Sequence, residues 1–193
     1  MGRRPHRGQR ALKSLALLGL VEVRQGDGNY LKGTESSLLP QAIEWGLLLG
    51  AKRTRDLVEA RRIIEVSVAG LAAERRDDED LVELRDRLEE MAAASSPDQF
   101  VAADIAFHLC VARASENETL LQIMTSMWTL LQVWISRVMH AASDFTPSLQ
   151  EHRKILEALE TGDSKAASRA MGNHLMSALK RLEATLPAEN REA

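Results

Sequence analysis

The chain has 193 residues, 45% of them hydrophobic and 27% charged, and a formal net charge of −3 at pH 7, as in an ordinary soluble globular protein. Its single cysteine, Cys110, excludes an intrachain disulfide. Since the sequence shows no uncharged run long enough to cross a bilayer and no signal-peptide core, we expect a cytoplasmic protein without a membrane partner.

The composition favours helices over strands, because aromatic residues make up only 4% while Leu, Ala, Glu and Arg are abundant. The charge is uneven along the chain. Residues 1–33 contain seven basic and two acidic residues, a net of +5, which leaves −8 for the rest. We call residues 1–33 the head. A basic head on an otherwise acidic chain indicates that the head binds a polyanion, although a short basic terminus can also be only a solvated tail.

The head has the pattern helix, strand, turn, strand. Residues 11–18 (ALKSLALL) have helical periodicity and are followed by Gly19, which suits the left-handed position after a helix. Residues 20–24 alternate like a strand, residues 25–28 (QGDG) form a glycine-rich turn, and residues 29–31 can return as a second strand. This order is the second half of a winged helix.

The stretch ALKSLALLGLVEVRQGDGNYL resembles the recognition-helix end and wing of the GntR superfamily of transcription regulators, whose wing commonly reads close to GLVEVRQGDGTYV. The resemblance implies a DNA-binding head. Glycines let the wing backbone approach phosphates closely, and the polar side chains beside them can reach the DNA. The DNA-binding residues that we predict are Lys13, Arg24, Gln25, Gly26 and Gly28.

The start of the chain departs from the family pattern. GntR regulators usually have two further helices before this point and a recognition helix that opens with a segment like SRPTVRE. Here residues 4–10 read RPHRGQR, with Gln9 where the family's base-contacting arginine would fall, and Pro5 and Gly8 disfavour a helix. We therefore expect an N-terminally truncated winged helix-turn-helix with weakened DNA binding.

The rest of the chain has helical periodicity, and capping residues mark the helix starts at Thr54, Asp77 or Asp78, Ser96, Asn117, Thr146 and Asp163. We predict an all-α fold, a bundle of six or seven helices preceded by a partial winged helix of one helix and a β-hairpin. The predicted boundaries are 1–33 for the partial winged helix-turn-helix domain, 34–53 for a linker and a lead-in helix around Trp45, 54–187 for the helical domain and 188–193 for a disordered tail.

Three of the predicted helices carry polar groups on faces that are otherwise apolar. Asp104 and His108 are four residues apart, so they lie on one face of a helix. His152 and His174 lie in the apolar stripes of two later helices. One carboxylate and three imidazoles suit a divalent transition metal with an open coordination position. The alternative is that ordinary hydrogen bonds satisfy the four groups in the core.

The helical region resembles the FCD effector domain of the FadR-like branch of the GntR superfamily. The resemblance is carried by EARRIIE at 59–65, LAAER at 71–75, Asp104-x3-His108, Asn117, EH at 151–152 and NHL at 173–175. It implies that Asp104, His108, His152 and His174 bind a metal, since all four positions are filled in order. Zn is the leading candidate for the ion, and Ni, Fe or Mn are alternatives.

Arg61 falls on the apolar face of its helix, where a guanidinium needs a carboxylate partner. That partner can be a small carboxylate effector or Glu65 one turn further on. The leading function is a metal-containing, small-carboxylate-sensing transcription regulator that binds DNA as a homodimer. One alternative is a metal-dependent enzyme acting on a small organic acid. The other is a helical interaction module that the metal only makes more rigid. We disfavour the enzyme because Glu151, the acid nearest the ligand set in sequence, is expected to turn away from the face of His152.

Overall fold

The computed structural model describes residues 21–24, 28–31, 51–142 and 144–185, and the chain divides into two compact units, Met1–Gly46 and Leu47–Ala193. In the first unit, β1 (Val21–Arg24) and β2 (Gly28–Leu31) pair antiparallel, with Val21 opposite Leu31 and Arg24 opposite Gly28. Gly28 has φ +140°, a conformation that side-chain-bearing residues rarely adopt. The helix predicted at 11–18, the lead-in helix around Trp45 and the tail at 188–193 lie outside the described residues.

The described part of the second unit consists of six helices: α1 (Ala51–Arg75), α2 (Asp78–Ala93), α3 (Pro97–Ala114), α4 (Glu118–Ala141), α5 (Thr146–Thr161) and α6 (Ser164–Thr185). The all-α prediction for this region is confirmed. Helix α1 begins at Ala51, three residues before the predicted cap Thr54 and inside the segment that the sequence assigned to the linker.

Local side-chain bonds fix several of the helix starts. The carboxylate of Asp77 accepts from the N–H of Asp80 at 2.8 Å, and the carboxylate of Asp80 accepts from the N–H of Asp77 at 3.3 Å. Asn117 and Asp163 each accept from the backbone N–H three residues later. These bonds satisfy N–H groups that the first turn of a helix leaves unpaired. At the other end of α5, Gly162 takes the left-handed conformation, with φ +70°.

One predicted cap differs in detail. The hydroxyl of Ser96 accepts from the N–H of Gln99 at 3.3 Å, as expected for the start of α3. The side-chain oxygen of Gln99 accepts from the N–H and hydroxyl of Ser95 instead of from the N–H of Ser96. Compared with a capping box, in which Gln99 would bond back to Ser96, the second bond is therefore shifted by one residue.

Helix α1 occupies the middle of the bundle, where it contacts α3, α4, α5 and α6, while α2 packs on α3 and α5. Phe100, Phe107 and Trp128 are the largest aromatic side chains buried in the core. None of the helices in the described ranges is long and apolar enough to cross a membrane. This arrangement brings the inward faces of α3, α5 and α6 together against α1.

Candidate metal centre

The four predicted ligands come together in the core. Asp104 and His108 lie on α3, His152 on α5 and His174 on α6, and all four side chains are buried. Each offers one ligand atom, and the four atoms lie within 4.8 Å of one another. Residues from three helices thus form one compact cluster, whose donor set is one carboxylate oxygen and three imidazole nitrogens.

Each of the three imidazoles has its Nδ1 atom close to an oxygen atom outside the cluster, in a hydrogen bond for His152 and His174 and in an ion-pair contact for His108. Nδ1 of His108 lies 2.5 Å from Oε2 of Glu65, and Nδ1 of His174 lies 3.0 Å from Oε2 of Glu151. Nδ1 of His152 lies 2.8 Å from the backbone carbonyl oxygen of Ser148. A carbonyl or carboxylate acceptor places the proton on Nδ1 and leaves Nε2 with a free lone pair. Metal-binding histidines are held in this way by their outer partners.

The inner atoms crowd one another. Nε2 of His152 lies 3.3 Å from Nε2 of His108 and 3.0 Å from Oδ1 of Asp104. With Nδ1 protonated, the lone pairs of these nitrogens and the carboxylate oxygen face each other, which is unfavourable unless a proton or a cation lies between them. The donor set and its spacing therefore fit a bound metal ion.

The electrostatics keep His174 and Asp104 in the protonation states that a metal requires. Burial lowers the pKa of His174 to about 3, and the neighbouring His152 acts in the same direction, so His174 is neutral at pH 7. Burial would raise the pKa of Asp104, but the contact with His152 and the adjacent imidazoles hold it below its usual value. A neutral imidazole and an ionised carboxylate bind a cation without first releasing protons.

A cavity, partly open to solvent, adjoins the cluster. Asp104 and His174 line it, so two of the four candidate ligands face this space. The remaining polar lining is Arg61, Ser148 and Arg181, and the apolar lining comes from α1, α4 and α6, including Leu131, Trp134, Ile135, Val138, Met139 and Leu182. A cavity with apolar walls and few polar groups is typical of a small-molecule site.

Arg61 pairs with Glu65, one of the two partners considered for it, and it also lines the cavity. Its Nε donates to Oε1 of Glu65 at 2.7 Å, and its guanidinium carbon lies 4.3 Å from the ring centroid of Trp128. Both members of the Arg61–Glu65 pair are buried, and Arg61 also lines the cavity. Within the described residues its Nη groups have no hydrogen-bond partner, so they are available to a ligand.

The expectation that no acid lies beside the ligand set is wrong. Glu151 does point away from His152, but α6 packs against that side of α5 and brings His174 to it. Glu151 also accepts a bidentate pair from Arg181, at 3.0 and 2.7 Å. Glu65 is a second such acid, fully buried against His108. Both carboxylates contact outer Nδ1 atoms, so they orient ligands and do not face the cavity as catalytic bases.

Sequence reasoning missed Glu151, Ser148 and Arg181 and treated Glu65 only as a partner of Arg61. Arg181 is seven residues after His174, a spacing that returns to the same helical face. That spacing is the signal that could have found it. Glu151 and Ser148 carry no comparable pattern, because their roles depend on contacts with other helices or with backbone atoms.

Other predictions about the chain can be placed as well. Cys110 is buried away from the cluster, with Sγ 3.0 Å from Oε1 of Glu83, as its position on α3 suggested. His140 is exposed. Lys13, Gln25 and Gly26 lie outside the described residues, and of Arg24 only the strand position is described. The DNA-contacting role of these residues remains a prediction.

Comparison with known proteins gives the family. The sequence model of the FCD domain matches residues 56–177. The chain is 34% identical to the HTH-type transcriptional regulator LutR of Bacillus subtilis over 86% of its own length and 78% of that protein. It is 32% identical to the Uxu operon transcriptional regulator of Escherichia coli over 89% of its length and 70% of that protein. The chain belongs to the FCD-domain transcription regulators of the GntR family.

Solved structures agree with this family assignment. The Streptococcus agalactiae GntR structure superposes with a TM-score of 0.68 at 28% identity, over 88% of this chain and 78% of that one. The Escherichia coli McbR/YncC structure has a TM-score of 0.65 at 16% identity, over 96% and 89% of the two chains, and shares the fold. The relatives are regulators and not enzymes, as the sequence analysis expected. The FadR-like branch and the truncated head remain predictions.

Proposed function

We propose that this FCD regulator binds a divalent transition metal through Asp104, His108, His152 and His174 and senses a small carboxylate at that metal. The single observation that carries the proposal is the orientation of the three histidines. Each has an acceptor on Nδ1, from Glu65, Ser148 or Glu151, and turns its Nε2 atom inward. Because the three Nδ1–H groups point outward to these acceptors, the inward Nε2 atoms have no proton with which to hydrogen-bond one another or Asp104.

The cavity supports a carboxylate as the ligand. A bound metal would act as a Lewis acid for an anionic oxygen at the side of the cluster that Asp104 and His174 expose to the cavity. The Nη groups of Arg61 can hold a second oxygen in the planar geometry that carboxylates share. Ser148 Oγ is buried in the lining without a hydrogen-bond partner within the described residues, and it suits a ligand hydroxyl.

The response to the ligand is transmitted to DNA in this proposal. The chain would act in the cytoplasm as a homodimer, and effector binding would reset the helix packing and so the spacing of two paired DNA-binding heads. The family membership and the basic head, with its hairpin at Val21–Leu31, support a DNA partner. Zn is the first ion to test, with Ni, Fe and Mn as alternatives.

The proposal is tested by measuring metal content and thermal unfolding together. The purified chain should hold about one transition-metal ion, and removal by a chelator should lower its Tm. His152→Ala or His174→Ala should lose the ion, while His140→Ala, which replaces an exposed histidine outside the cluster, should keep it. Hydroxy- or dicarboxylates should then raise Tm only when metal is bound.

Two results would contradict the proposal at different points. A chain that stays metal-free after incubation with Zn, Ni, Fe and Mn salts removes the metal centre. Equal stabilisation of the metal-bound and metal-free forms by the same acids removes the metal-bridged ligand but leaves the metal centre in place.

A further inference from the structure

Both arginines that line the cavity are bonded to a glutamate that also holds a candidate metal ligand. On one side, Arg61 Nε donates to Glu65 Oε1 at 2.7 Å, and Glu65 Oε2 lies 2.5 Å from His108 Nδ1. We name Arg61, Glu65 and His108 the Arg61 triad. It joins the cavity wall on α1 to a ligand on α3.

The second triad repeats the arrangement on other helices. Arg181 on α6 donates to both oxygens of Glu151 on α5, at 3.0 and 2.7 Å. The oxygen at 2.7 Å, Oε2, also lies 3.0 Å from Nδ1 of His174. Arg181, Glu151 and His174 form the Arg181 triad. In both triads a single carboxylate is shared between a cavity arginine and the outer nitrogen of a candidate metal ligand.

We propose that the two triads couple the charge of the cavity to the affinity of the metal centre, with Glu65 and Glu151 as positioning residues. This inference rests on the proposed function. A carboxylate that is strongly held by a guanidinium is a weaker acceptor for the imidazole Nδ1–H. When an anion in the cavity pairs with the arginine, the glutamate accepts more strongly from Nδ1–H, and Nε2 becomes a better metal ligand.

The sign of the effect follows from this sharing. An anion at either arginine tightens metal binding even without touching the metal, and by linkage the metal tightens binding of the anion by the same factor. The effector thus acts on the metal centre in two ways, by direct contact with the metal and through the arginines. Because the two triads involve α1, α3, α5 and α6, they connect the ligand to four of the helices that surround the cluster.

The Arg181 triad is the better one to test, because its side chains are less buried. Arg181 and Glu151 are 26% and 20% exposed, whereas Arg61 and Glu65 are 7% and 0% exposed.

The measurement is the Kd of Zn²⁺, by competition with a chromophoric chelator, in the wild-type chain and in Glu151→Gln, Arg181→Gln and the double variant. Tm of each metal-free variant shows that it is folded. Arg85→Gln, which breaks the exposed Arg85–Glu160 pair, is the charge-matched control.

The two single variants are expected to act in opposite directions. Glu151→Gln should weaken Zn²⁺ binding by about tenfold or more, as the loss of an outer carboxylate does. Arg181→Gln, which withdraws the arginine's charge as an anion would, should tighten it several-fold. When Arg181→Gln is added to Glu151→Gln it should have little effect, because the carboxylate that transmits it is gone. Arg85→Gln should leave the Kd unchanged.

Each alternative result overturns the inference. If Arg181→Gln tightens zinc equally with and without Glu151→Gln, the arginine acts through space and not through Glu151. If it weakens zinc, the arginine is only a structural support. If it changes nothing while the wild-type chain binds zinc, the triad carries no coupling and the proposed function still stands. A wild-type chain that binds no zinc overturns both.

Discussion

Oε2 of Glu65 lies 2.5 Å from Nδ1 of His108, and neither side chain has any exposed surface. Burial would raise the pKa of Glu65, but the neighbouring Arg61 and His108 lower it to about 2. The carboxylate is therefore ionised in the middle of the core, where it must be paired on both oxygens. One acidic residue thus supports both a candidate metal ligand and a cavity arginine.

Glu65→Ala should be strongly destabilising. The change leaves the guanidinium of Arg61 buried without its partner and His108 Nδ1 without its acceptor, and breaking a buried ion pair in this way costs about 3–5 kcal/mol. Urea unfolding of the metal-free chain measures the loss. Glu160→Ala, which breaks the exposed pair with Arg85, is the control and should cost about 1 kcal/mol or less. Equal costs for the two variants would contradict the role assigned to Glu65.

The metal-free chain should lose stability as the pH falls below about 6.5. The pKa of His174 is lowered to about 3 in the folded protein, so between 6.5 and 3 the unfolded chain binds a proton that the folded chain does not. The free energy of unfolding then falls by about 1.4 kcal/mol for each pH unit in that window. Below about 4.5 the decline should steepen, because the pKa values of Glu65 and Glu151 are both lowered to about 2.

The pH prediction is checked by urea unfolding in EDTA at pH values from 8 to 5. His174→Asn should remove most of the slope between pH 6.5 and 5, since Asn has no proton to bind. His140→Asn, at an exposed position, should keep the slope of the wild-type chain. An unaltered slope in His174→Asn would show that this histidine does not titrate differently in the folded and unfolded states.

The sequence predicted the ligand set because its members interrupt apolar stripes on their own helices. Asp104 and His108 are one turn apart on α3, and a polar pair in a buried stripe is visible without knowledge of the neighbours. Glu65 was visible only as a partner of Arg61, since its second contact is with His108 on another helix. Periodicity shows which face of a helix is apolar, but it does not show what packs on the other faces.

The case of Glu151 shows the same limit. Adjacent residues on a helix point in different directions, so the prediction that Glu151 turns away from His152 was sound for α5 alone. Helix α6 packs against α5 and supplies His174 and Arg181 to that side. Local signals were more reliable. The caps at Asn117 and Asp163 depend on a few neighbouring residues, and the structure has them as predicted.

Arg61→Lys should weaken the stabilisation of the metal-bound protein by hydroxy- and dicarboxylates. Lysine keeps a positive charge near Glu65 but lacks the planar pair of donors that fits a carboxylate. The apparent affinity for an effective acid should fall by about tenfold or more, as expected for the loss of a hydrogen bond to a charged group. Arg62→Lys is the matched control, because Arg62 is exposed. The measurement is the shift of Tm with acid concentration, and equal shifts in both variants would remove Arg61 from the ligand site.

The last prediction concerns DNA. The region 1–33 has a net charge of +5, and Arg24 is the last residue of β1, opposite Gly28, at the turn of the hairpin. We expect weak binding with little sequence preference that fades between low and physiological salt, because few phosphates are neutralised.

Arg24→Ala should lower the affinity equally for random and selected duplexes and reduce the salt slope by about 1, as for one lost phosphate contact. Arg87→Ala, which removes the same charge from α2, is the control and should change neither. Gel-shift titrations over a range of salt concentrations make the measurement. Tight, sequence-selective binding at physiological salt would contradict the predicted weakening of DNA binding by truncation. A loss of sequence preference in Arg24→Ala would show that this end of the hairpin reads bases and not phosphates.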